Sequence, residues 1–423
     1  MSNYLDWQNK ISSDRKIVPL FYIADFSISP VDKIIKEEEE KVSLCNYTDV
    51  YKNKYITSDL EFMEGSASEN EINRFQIQDG DILITKDSES WDDIGIPAMV
   101  VGNFENTTVC GYHLALMRPK KNLVNPKFVF YCFESKTHRT QLEIEATGVT
   151  RFGIPKDAIG KYKIPLPSLE QQNKIVNYLD REIAKIDALI EKKTKLIALL
   201  EEKKKAVINQ AVTKGLDTTV AMKDSGIEWL GEIPEHWEVV KLKYLVNKID
   251  ELNYADVEHK IAVENIIGFS GKLTNLESFN YEGITTKFKK NDIIFNKLRP
   301  YLGKVYLAKE EGGVYGELLV LRPNEKLVSK FLFYVMISTN FIDLVNSSTT
   351  GAKMPRASWE DFIKHIDIPL ISIDEQQNIT DFLEIMLTKN EELSNRLLSS
   401  IELLKEKRTT IISAAINGKI NLD

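Results

Sequence analysis

The sequence lacks several catalytic and structural motifs, and their absence excludes several classes of protein. It has only three cysteines, Cys45, Cys110 and Cys132, with no CxxC spacing, and an odd number of dispersed cysteines argues against a disulfide framework. We therefore expect a protein of the reducing cytoplasm. The five histidines stand singly and form no HExxH motif, so the sequence predicts no metal site.

Phosphate-binding and nuclease motifs are missing as well. No GxGxxG occurs, and residues 268–272 (GFSGK) lack both the spacing of a phosphate loop and a Ser or Thr after the lysine. Asp81 and Asp292 each precede a lysine in the pattern Asp-x4-Lys. A metal-dependent nuclease would need a second carboxylate two residues before that lysine, where Ile84 and Phe295 stand. The sequence predicts a chain without catalytic residues or a cofactor of its own.

Long apolar runs and a leader pattern are also absent. No run approaches the ~18 apolar residues of a membrane span, and the N-terminus MSNYLDWQNK has neither a basic start nor an apolar core. We expect no membrane segment and no signal peptide. The 423 residues predict two to three domains. The net charge of −8 is weak evidence against nucleic-acid binding, because a local basic cleft can coexist with acidic faces.

What the sequence does contain is a long stretch with coiled-coil periodicity, residues 169–213. It has no Gly or Pro, and Gly215 follows as a helix stop signal. At ~1.5 Å per residue this helix would be ~65 Å long, so it needs a packing partner. Its apolar seam follows alternating steps of four and three. The seam positions are Leu179, Ile183, Ile186, Ile190, Lys193, Ile197, Leu200, Lys204, Val207 and Ala211.

The partner predicted for this helix is a second copy near the C-terminus of the same chain. IPL at 164–166 returns at 368–370, and EQQ at 170–172 returns at 375–377. Polar seam residues cost stability but fix register and partner choice. The seam of the second copy comprises Leu383, Leu387, Asn390, Ser394, Leu397, Ile401, Leu404, Arg408, Ile411 and Ala415.

The repeat extends into the segments ahead of both helices. DILITK at 81–86, LALMRP at 114–119 and KFVFY at 127–131 return as DIIFNK at 292–297, LLVLRP at 318–323 and KFLFY at 330–334. Short β-branched runs predict strands at 82–85, 98–101, 261–263, 293–295 and 304–307. Residues 126–136 and 329–338 predict helices, and residues 215–237 predict a loop with a short helix at most. The chain therefore reads as two mixed α/β domains, each followed by a long helix.

The two copies differ between the matched segments, which suggests one kind of site reading two different targets. Basic residues near aromatics and turns are the candidates for phosphate and base contacts in DNA, although solvated surface is the alternative for each of them. Arg118 and Arg322 are better interpreted as scaffold, since each precedes a proline at the end of a strand. The candidates are Lys86, Thr150, Arg151, Phe152, Lys297, Arg299, Tyr301, Lys353 and Arg356.

These residues bring the sequence to a recognisable pattern. IPLPSLEQQNKIVNYLD, the later GIEWLGEIPEHWEVVKLK and the second EQQ-headed helix resemble the DNA-specificity subunit of a bacterial type I restriction-modification system. The first domain departs from the pattern, because its start lacks the GxIPxxW phrase that precedes the second. The resemblance implies two target-recognition domains at 1–167 and 237–370, long helices at 168–214 and 371–423, and a linker at 215–236.

The resemblance also implies a role. Each domain would read one half of an asymmetric, interrupted site in double-stranded DNA, and the two antiparallel coiled-coil helices would hold the domains apart with pseudo-twofold symmetry. The chain would dock two methyltransferase subunits that use S-adenosylmethionine, and restriction/translocase subunits that use ATP and Mg. Open alternatives are a nuclease or methyltransferase with a coiled-coil insert, a protein-only scaffold, and the specificity subunit of a related methylase-nuclease arrangement.

Overall fold

The computed structural model describes residues 11–13, 15–253, 259–274, 283–351 and 353–422. The chain divides into two compact units. Unit 1 takes the segments 1–192 and 399–423, and unit 2 takes the segment 193–398. Each unit therefore contains part of both long helices.

Unit 1 is a mixed α/β unit. Its strands are β1 (Lys16–Pro19), β2 (Ala24–Ile28), β3 (Glu40–Cys45), β4 (Tyr55–Ile56), β5 (Met63–Ala67), β6 (Ile82–Thr85), β7 (Asp87–Ser88), β8 (Pro97–Val100), β9 (Thr108–Cys110), β10 (Leu114–Pro119), β11 (Phe152–Gly153) and β12 (Lys163–Leu166). Its helices are α1 (Leu20–Ile23), α2 (Tyr47–Lys52), α3 (Glu69–Phe75), α4 (Pro126–Glu134), α5 (Lys136–Glu143), α6 (Lys156–Lys161) and the first part of α7 (Leu169–Lys214).

Unit 1 contains a five-stranded sheet in the order β2-β10-β6-β8-β4 and a three-stranded sheet in the order β5-β3-β9. The two sheets share a buried core. β10 runs antiparallel to β6, with Leu114 opposite Thr85. The apolar helix α4 and the start of α7 share a buried core with β6 and β10. The end of β6 and the start of β10 therefore lie side by side at one end of these inner strands, and the two ends of the strands are called the edges of the sheet below.

Unit 2 repeats this plan with shorter strands. These are β13 (Met222–Asp224), β14 (Glu232–Pro234), β15 (Glu238–Lys241), β16 (Val246–Ile249), β17 (Leu252–Asn253), β18 (Lys260–Ile261), β19 (Ile266–Ile267), β20 (Lys272–Leu273), β21 (Thr285–Phe288), β22 (Ile293–Asn296), β23 (Val305–Leu307), β24 (Gly312–Val314), β25 (Leu318–Pro323) and β26 (Asp367–Leu370). Its helices are α8 (Ser329–Ile337), α9 (Thr339–Ser347), the rest of α7 and most of α10 (Ile373–Ile416).

The sheets of unit 2 are β16-β25-β22-β23 and β17-β21-β24-β18. β22 and β25 pair antiparallel with Asn296 opposite Leu318, as β6 and β10 do in unit 1. Two local predictions were wrong. Residues 215–237 contain the hairpin β13–β14 instead of a short helix, because Gly226 and Gly231 take positive φ values of 67° and 61° between the two strands. The strand predicted at 261–263 ends at Ile261 and gives way to a 3-10 turn.

The two long helices begin and end with the same local signals. A serine precedes each helix, and its hydroxyl accepts a hydrogen bond from the backbone N–H three residues on, at 3.3 Å from Ser168 and 3.2 Å from Ser372. A glycine with positive φ follows each helix, Gly215 at 73° and Gly418 at 76°. Every seam position named above is buried or half-buried.

Within each unit the segments of α7 and α10 contact one another. In unit 1, Nε of Arg408 lies 3.5 Å from Oδ1 of Asp187, and Ile183 shares a core with Ile412. In unit 2, the side-chain amide of Asn390 donates to the Leu200 carbonyl at 2.9 Å. The polar seam residues thus make specific contacts, which is how such residues select one register.

A buried glutamine joins each helix head to its own unit. The Gln172 carbonyl accepts from the Asn125 backbone N–H at 2.8 Å, and its amide donates to the Pro167 carbonyl at 3.0 Å. The Gln376 carbonyl accepts from the Val328 N–H at 2.7 Å. Gln172 and Gln376 are 204 residues apart, the same separation as the two IPL phrases, although Gln172 is the second glutamine of its EQQ phrase and Gln376 the first. The repeat in sequence therefore corresponds to a repeated junction.

Candidate nucleic-acid interface

An aspartate–arginine pair fixes one edge of the central sheet in both units. Arg118 donates to the two carboxylate oxygens of Asp81 at 2.9 and 2.7 Å, and Asp81 is 2 % exposed. Arg322 donates to Asp292 at 2.7 Å through both Nε and Nη2. The carboxylates raise the pKa of both arginines. Both half-buried guanidinium groups are therefore held by a buried carboxylate of the framework, in agreement with the scaffold interpretation of these two arginines.

The lysines Lys86 and Lys297 lie at the opposite edge, directly after β6 and β22. The Lys86 N–H donates to the His113 carbonyl at 2.8 Å, and its own carbonyl accepts from Ile154 at 2.9 Å. Lys297 repeats both bonds, with Glu317 at 3.3 Å and Ala357 at 2.9 Å. The backbone of each lysine thus joins two other segments. One is the residue just before the paired strand, β10 or β25, and the other is the residue that follows 147–153 or 350–356.

These last two segments form closed loops, called here finger 1 (147–153) and finger 2 (350–356). In finger 1, Thr147 and Gly153 exchange two backbone hydrogen bonds of 3.0 and 2.8 Å. In finger 2, Thr350 and Arg356 exchange bonds of 3.1 and 3.0 Å. Position 352 lies outside the described residues. Both fingers therefore have the same length and the same closure.

A glycine follows the first residue of each finger and is required by the turn. Gly148 has φ of 141°, and a Cβ at this position would lie 1.9 Å from the Arg151 carbonyl oxygen. Gly351 has φ of 94°, and a Cβ would meet the Met354 carbonyl oxygen at 3.3 Å. The chain of finger 1 consequently turns back closely on itself.

Four candidate residues come together at the edge of unit 1: Lys86, Thr150, Arg151 and Phe152. Phe152 pairs with Ser88 through β11 and β7, which joins finger 1 to the segment after Lys86. The Lys86 Nζ lies 2.8 Å from Oδ1 of Asp87, whose other oxygen lies 2.6 Å from the ring nitrogen of His113. Thr150 and Arg151 are exposed.

Finger 1 borders a cleft with aromatic and acidic walls. Tyr47 and Tyr51 on α2 stack with ring centroids 5.6 Å apart, and the Tyr51 hydroxyl donates to Asp93 at 2.6 Å. Burial raises the pKa of Tyr47, while the nearby Arg151 opposes the shift. The remaining walls come from Asp87, Ser88, Glu89, Ser90, Thr150 and Arg151. This edge thus offers carboxylate acceptors as well as a cation.

The candidates of unit 2, Lys297, Arg299, Tyr301, Lys353 and Arg356, also share one edge. Nζ of Lys297 lies 3.4 Å from Glu317, and Arg356 binds the same carboxylate. Arg299 donates through its backbone to the Pro355 carbonyl at 2.7 Å and through its guanidinium to the Lys353 carbonyl at 3.3 Å. Tyr301 follows in a 3-10 turn and is 48 % exposed.

The backbone of Arg299 is unusual. Its φ of 49° places it in the left-handed region, although it is neither Gly nor Asn and precedes Pro300. Such a conformation costs about 1–3 kcal/mol and concentrates at functional positions. The contacts with Pro355 and Lys353 hold Arg299 there and direct it toward finger 2.

The basic residues do not occupy equivalent positions in the two fingers. Aligning the closures places Thr150 opposite Lys353 and Arg151 opposite Met354. Arg356 stands at the base of finger 2, where it binds Glu317, and not at the tip. Sequence reasoning missed Tyr47, Tyr51 and Glu317, although Glu317 precedes LLVLRP as His113 precedes LALMRP.

Other site types find little support in the described part of the chain. The described residues hold no group of three or more His, Cys, Asp or Glu placed to bind a metal ion. The three cysteines are buried, and burial raises the pKa of each thiol. Among the described residues, no helix has both the length and the apolar composition to cross a membrane.

Comparison with known proteins gives consistent matches along the chain. The family profile described as the type I restriction modification DNA specificity domain matches residues 26–199 and 234–403. The MjaVIII specificity subunit of a type I restriction enzyme from Methanocaldococcus jannaschii is 27% identical over 72% of this chain and 73% of its own. The putative MjaX specificity subunit of the same organism is 25% identical over 92% of this chain and 89% of its own.

Solved structures share the fold at low sequence identity. The HsdS subunit of Thermoanaerobacter tengcongensis has a TM-score of 0.57 at 16% identity, and the alignment covers 97% of this chain and 98% of that one. A chain from a structure of complex assembly in a type I restriction-modification system has a TM-score of 0.65 at 16% identity, covering 97% and 99%.

Proposed function

The chain belongs to the family of type I restriction-modification DNA specificity subunits, and from that premise we propose that it reads an asymmetric, interrupted DNA site, one half with each unit. It is the DNA-recognition subunit of such a system. The observation that carries the proposal is one framework present twice with unlike fingers. The Asp–Arg pair, the lysine anchor and the finger closure repeat, while the exposed residues on the fingers differ.

The proposed DNA contacts are the candidate residues at the two edges. In unit 1 these are Lys86, Thr150, Arg151 and Phe152, and in unit 2 they are Lys297, Arg299, Tyr301, Lys353 and Arg356. Arginine reads guanine through O6 and N7, and lysine neutralises phosphate. In unit 2 Lys297 and Arg356 share the Glu317 carboxylate at the base of finger 2, so a phosphate contact by either residue would replace that ion pair. Arg299 is the candidate for base reading, because its contacts with Lys353 and Pro355 maintain a left-handed backbone conformation of the kind that concentrates at functional positions.

The long helices are proposed to set the distance between the two half-sites. α7 leaves unit 1 and ends in unit 2, and α10 takes the reverse course. Buried seam positions along both helices support an antiparallel coiled coil with pseudo-twofold symmetry. Two related readers held in this way fit half-sites about one turn of DNA apart.

We propose that the chain is a non-catalytic adaptor in the cytoplasm. Its partners would be two methyltransferase subunits that use S-adenosylmethionine, and restriction/translocase subunits that use ATP and Mg. Apolar side chains exposed on the helices support protein docking there. They are Leu189, Leu196, Leu199, Leu393, Leu398 and Leu403.

The test is to express the chain with its methyltransferase partner in a host without other adenine methylation and to sequence the methylome. The proposal expects one interrupted motif with a modified adenine in each half. A protein-only scaffold would form the complex but leave no motif, and methylation by the isolated chain would show that it is itself an enzyme.

A further inference from the structure

The described tips of both fingers present an apolar side chain to solvent. Val149 in finger 1 is 92 % exposed, and Met354 in finger 2 is 58 % exposed. Each stands close in sequence to an exposed cation, Arg151 or Lys353. Valine at a tight turn is unusual, since β-branched residues fit strands and polar residues favour turns. An apolar side chain that is exposed at a proposed DNA-reading edge is a candidate for an apolar contact with the bound DNA.

Backbone and side-chain hydrogen bonds hold the described residues of both fingers in place. Two backbone bonds close finger 1, the Phe152–Ser88 pairing joins it to β7, and Ile154 is tied to Lys86. In finger 2, Arg299 adds bonds to Lys353 and Pro355. Ordering that is already complete in the free protein does not oppose binding. Any apolar contact made by the tips would therefore contribute fully to affinity.

The shape of the fingers favours one groove of DNA. Each finger is a loop closed at its base by one pair of residues, and the major groove, about 12 Å wide, leaves more room for such a loop than the minor groove, about 6 Å wide. The apolar group that base pairs present in the major groove is the thymine 5-methyl. An aliphatic tip flanked by a cation matches a thymine methyl beside a phosphate or a guanine.

We propose that Val149 and Met354 read thymine methyl groups, one in each half-site. This inference rests on the proposed function and adds the chemical group that each finger recognises. The flanking Arg151 and Lys353 supply the attraction to the DNA backbone or to guanine, while the aliphatic tips distinguish A·T from G·C pairs at one position.

The experiment uses the complex of the full chain with its methyltransferase partner, and a duplex carrying its motif. Each thymine of the first half-site is replaced in turn by deoxyuridine, which lacks only the methyl group, and affinity is measured by competition at fixed salt. At one position the wild type should lose about four-fold in affinity, the value for one buried methyl group. Val149→Ala should bind the thymine and deoxyuridine duplexes equally.

Val101→Ala is the matched control. Val101 is 40 % exposed and follows β8 at the Asp81 edge of the sheet, away from finger 1. This variant should keep the four-fold discrimination. The inference is overturned if Val149→Ala still discriminates, or if no deoxyuridine affects the wild type. It is also overturned if Val149→Ala weakens binding to the motif and to unrelated DNA equally, because a side chain that inserts into the groove without reading a base would behave in that way.

The second half-site provides an independent arm. Met354→Ala should abolish discrimination there, and Met222→Ala, at a 39 % exposed methionine in β13, should retain it. A wild-type complex without preference for its motif would contradict the proposed function itself. A complex that prefers its motif but ignores every thymine methyl would contradict only this inference.

Discussion

Replacing Gln376 by leucine tests the junction between a long helix and its unit. Gln376 is fully buried. Its carbonyl accepts from the Val328 N–H at 2.7 Å, and its amide donates to the carbonyls of Lys326 and Ile371, both at 2.9 Å. Leucine has a similar volume but leaves all three backbone groups without these partners.

The expected loss follows from those three groups. A buried donor left unsatisfied costs about 1–3 kcal/mol, and each lost net hydrogen bond costs about 1 kcal/mol. The free energy of unfolding of unit 2 should therefore fall by about 3–5 kcal/mol. Gln172→Leu removes two such bonds in unit 1 and should cost less, about 2–4 kcal/mol.

The assay is urea unfolding followed by tryptophan fluorescence. Three of the five tryptophans, Trp229, Trp237 and Trp359, lie in unit 2, so the signal reports mainly on that unit. Gln377→Leu is the matched control, because Gln377 is exposed and donates only to Asp381 at 2.7 Å. A surface pair of this kind contributes about 0.2–0.5 kcal/mol. A Gln376→Leu protein no less stable than Gln377→Leu would refute the reasoning.

Three further predictions concern recognition, spacing and pH. Arg151→Ala should weaken binding to the first half-site by about 1–3 kcal/mol if the side chain reads a base. If the side chain contacts phosphate, the loss should be smaller and the binding should depend less on salt. Unchanged affinity and an unchanged motif would show that Arg151 is a solvated surface residue. Four residues added after Lys195, with four more near Ser399 and Ser400, lengthen the helix pair by ~6 Å and rotate one end of it relative to the other by ~40°. Methylome sequencing should then find a spacer between the half-sites that is longer by about one or two base pairs. An unchanged spacer in an active variant would mean that the helices do not set the distance. Burial lowers the pKa of His138 to about 4, against the hydrogen bond that its ring donates to the Asn417 side-chain oxygen, and Arg15 acts in the same direction as burial. In the unfolded state His138 takes up a proton near pH ~6.5, whereas in the folded state it does so only near the lowered pKa, so the stability is present above the unfolded pKa and is lost as the pH falls. The free energy of unfolding should fall by about 2 kcal/mol between roughly pH 7 and 5. Urea unfolding of His138→Asn should lack this loss, and equal pH dependence in both proteins would contradict the prediction.

The repeat and the helices were predictable because their signals are local and periodic. The four-three spacing of apolar residues, the serine before each helix and the glycine after it are all visible in the sequence, and the structure places α7 and α10 accordingly. The strands β6 and β22 were predicted from their short β-branched runs, because the residues of each strand are contiguous in the sequence.

The site could be predicted only in part, because it depends on contacts distant in sequence. Tyr47 and Tyr51 reach finger 1 from α2, about a hundred residues away, and no periodicity links them to Arg151. In finger 2 the basic residues Lys353 and Arg356 look alike in sequence. Only the backbone closure with Thr350 shows that one lies at the base and the other near the tip.

The most direct test of independent half-site reading is an exchange of residues 1–160 for the corresponding segment of another family member that directs methylation to a different motif. The hybrid is expressed with the methyltransferase subunit, and its methylome is compared with those of the two parents. The account predicts that the first half of the motif changes to that of the donor while the second half stays the same. A motif in which both halves change, or neither does, would contradict it.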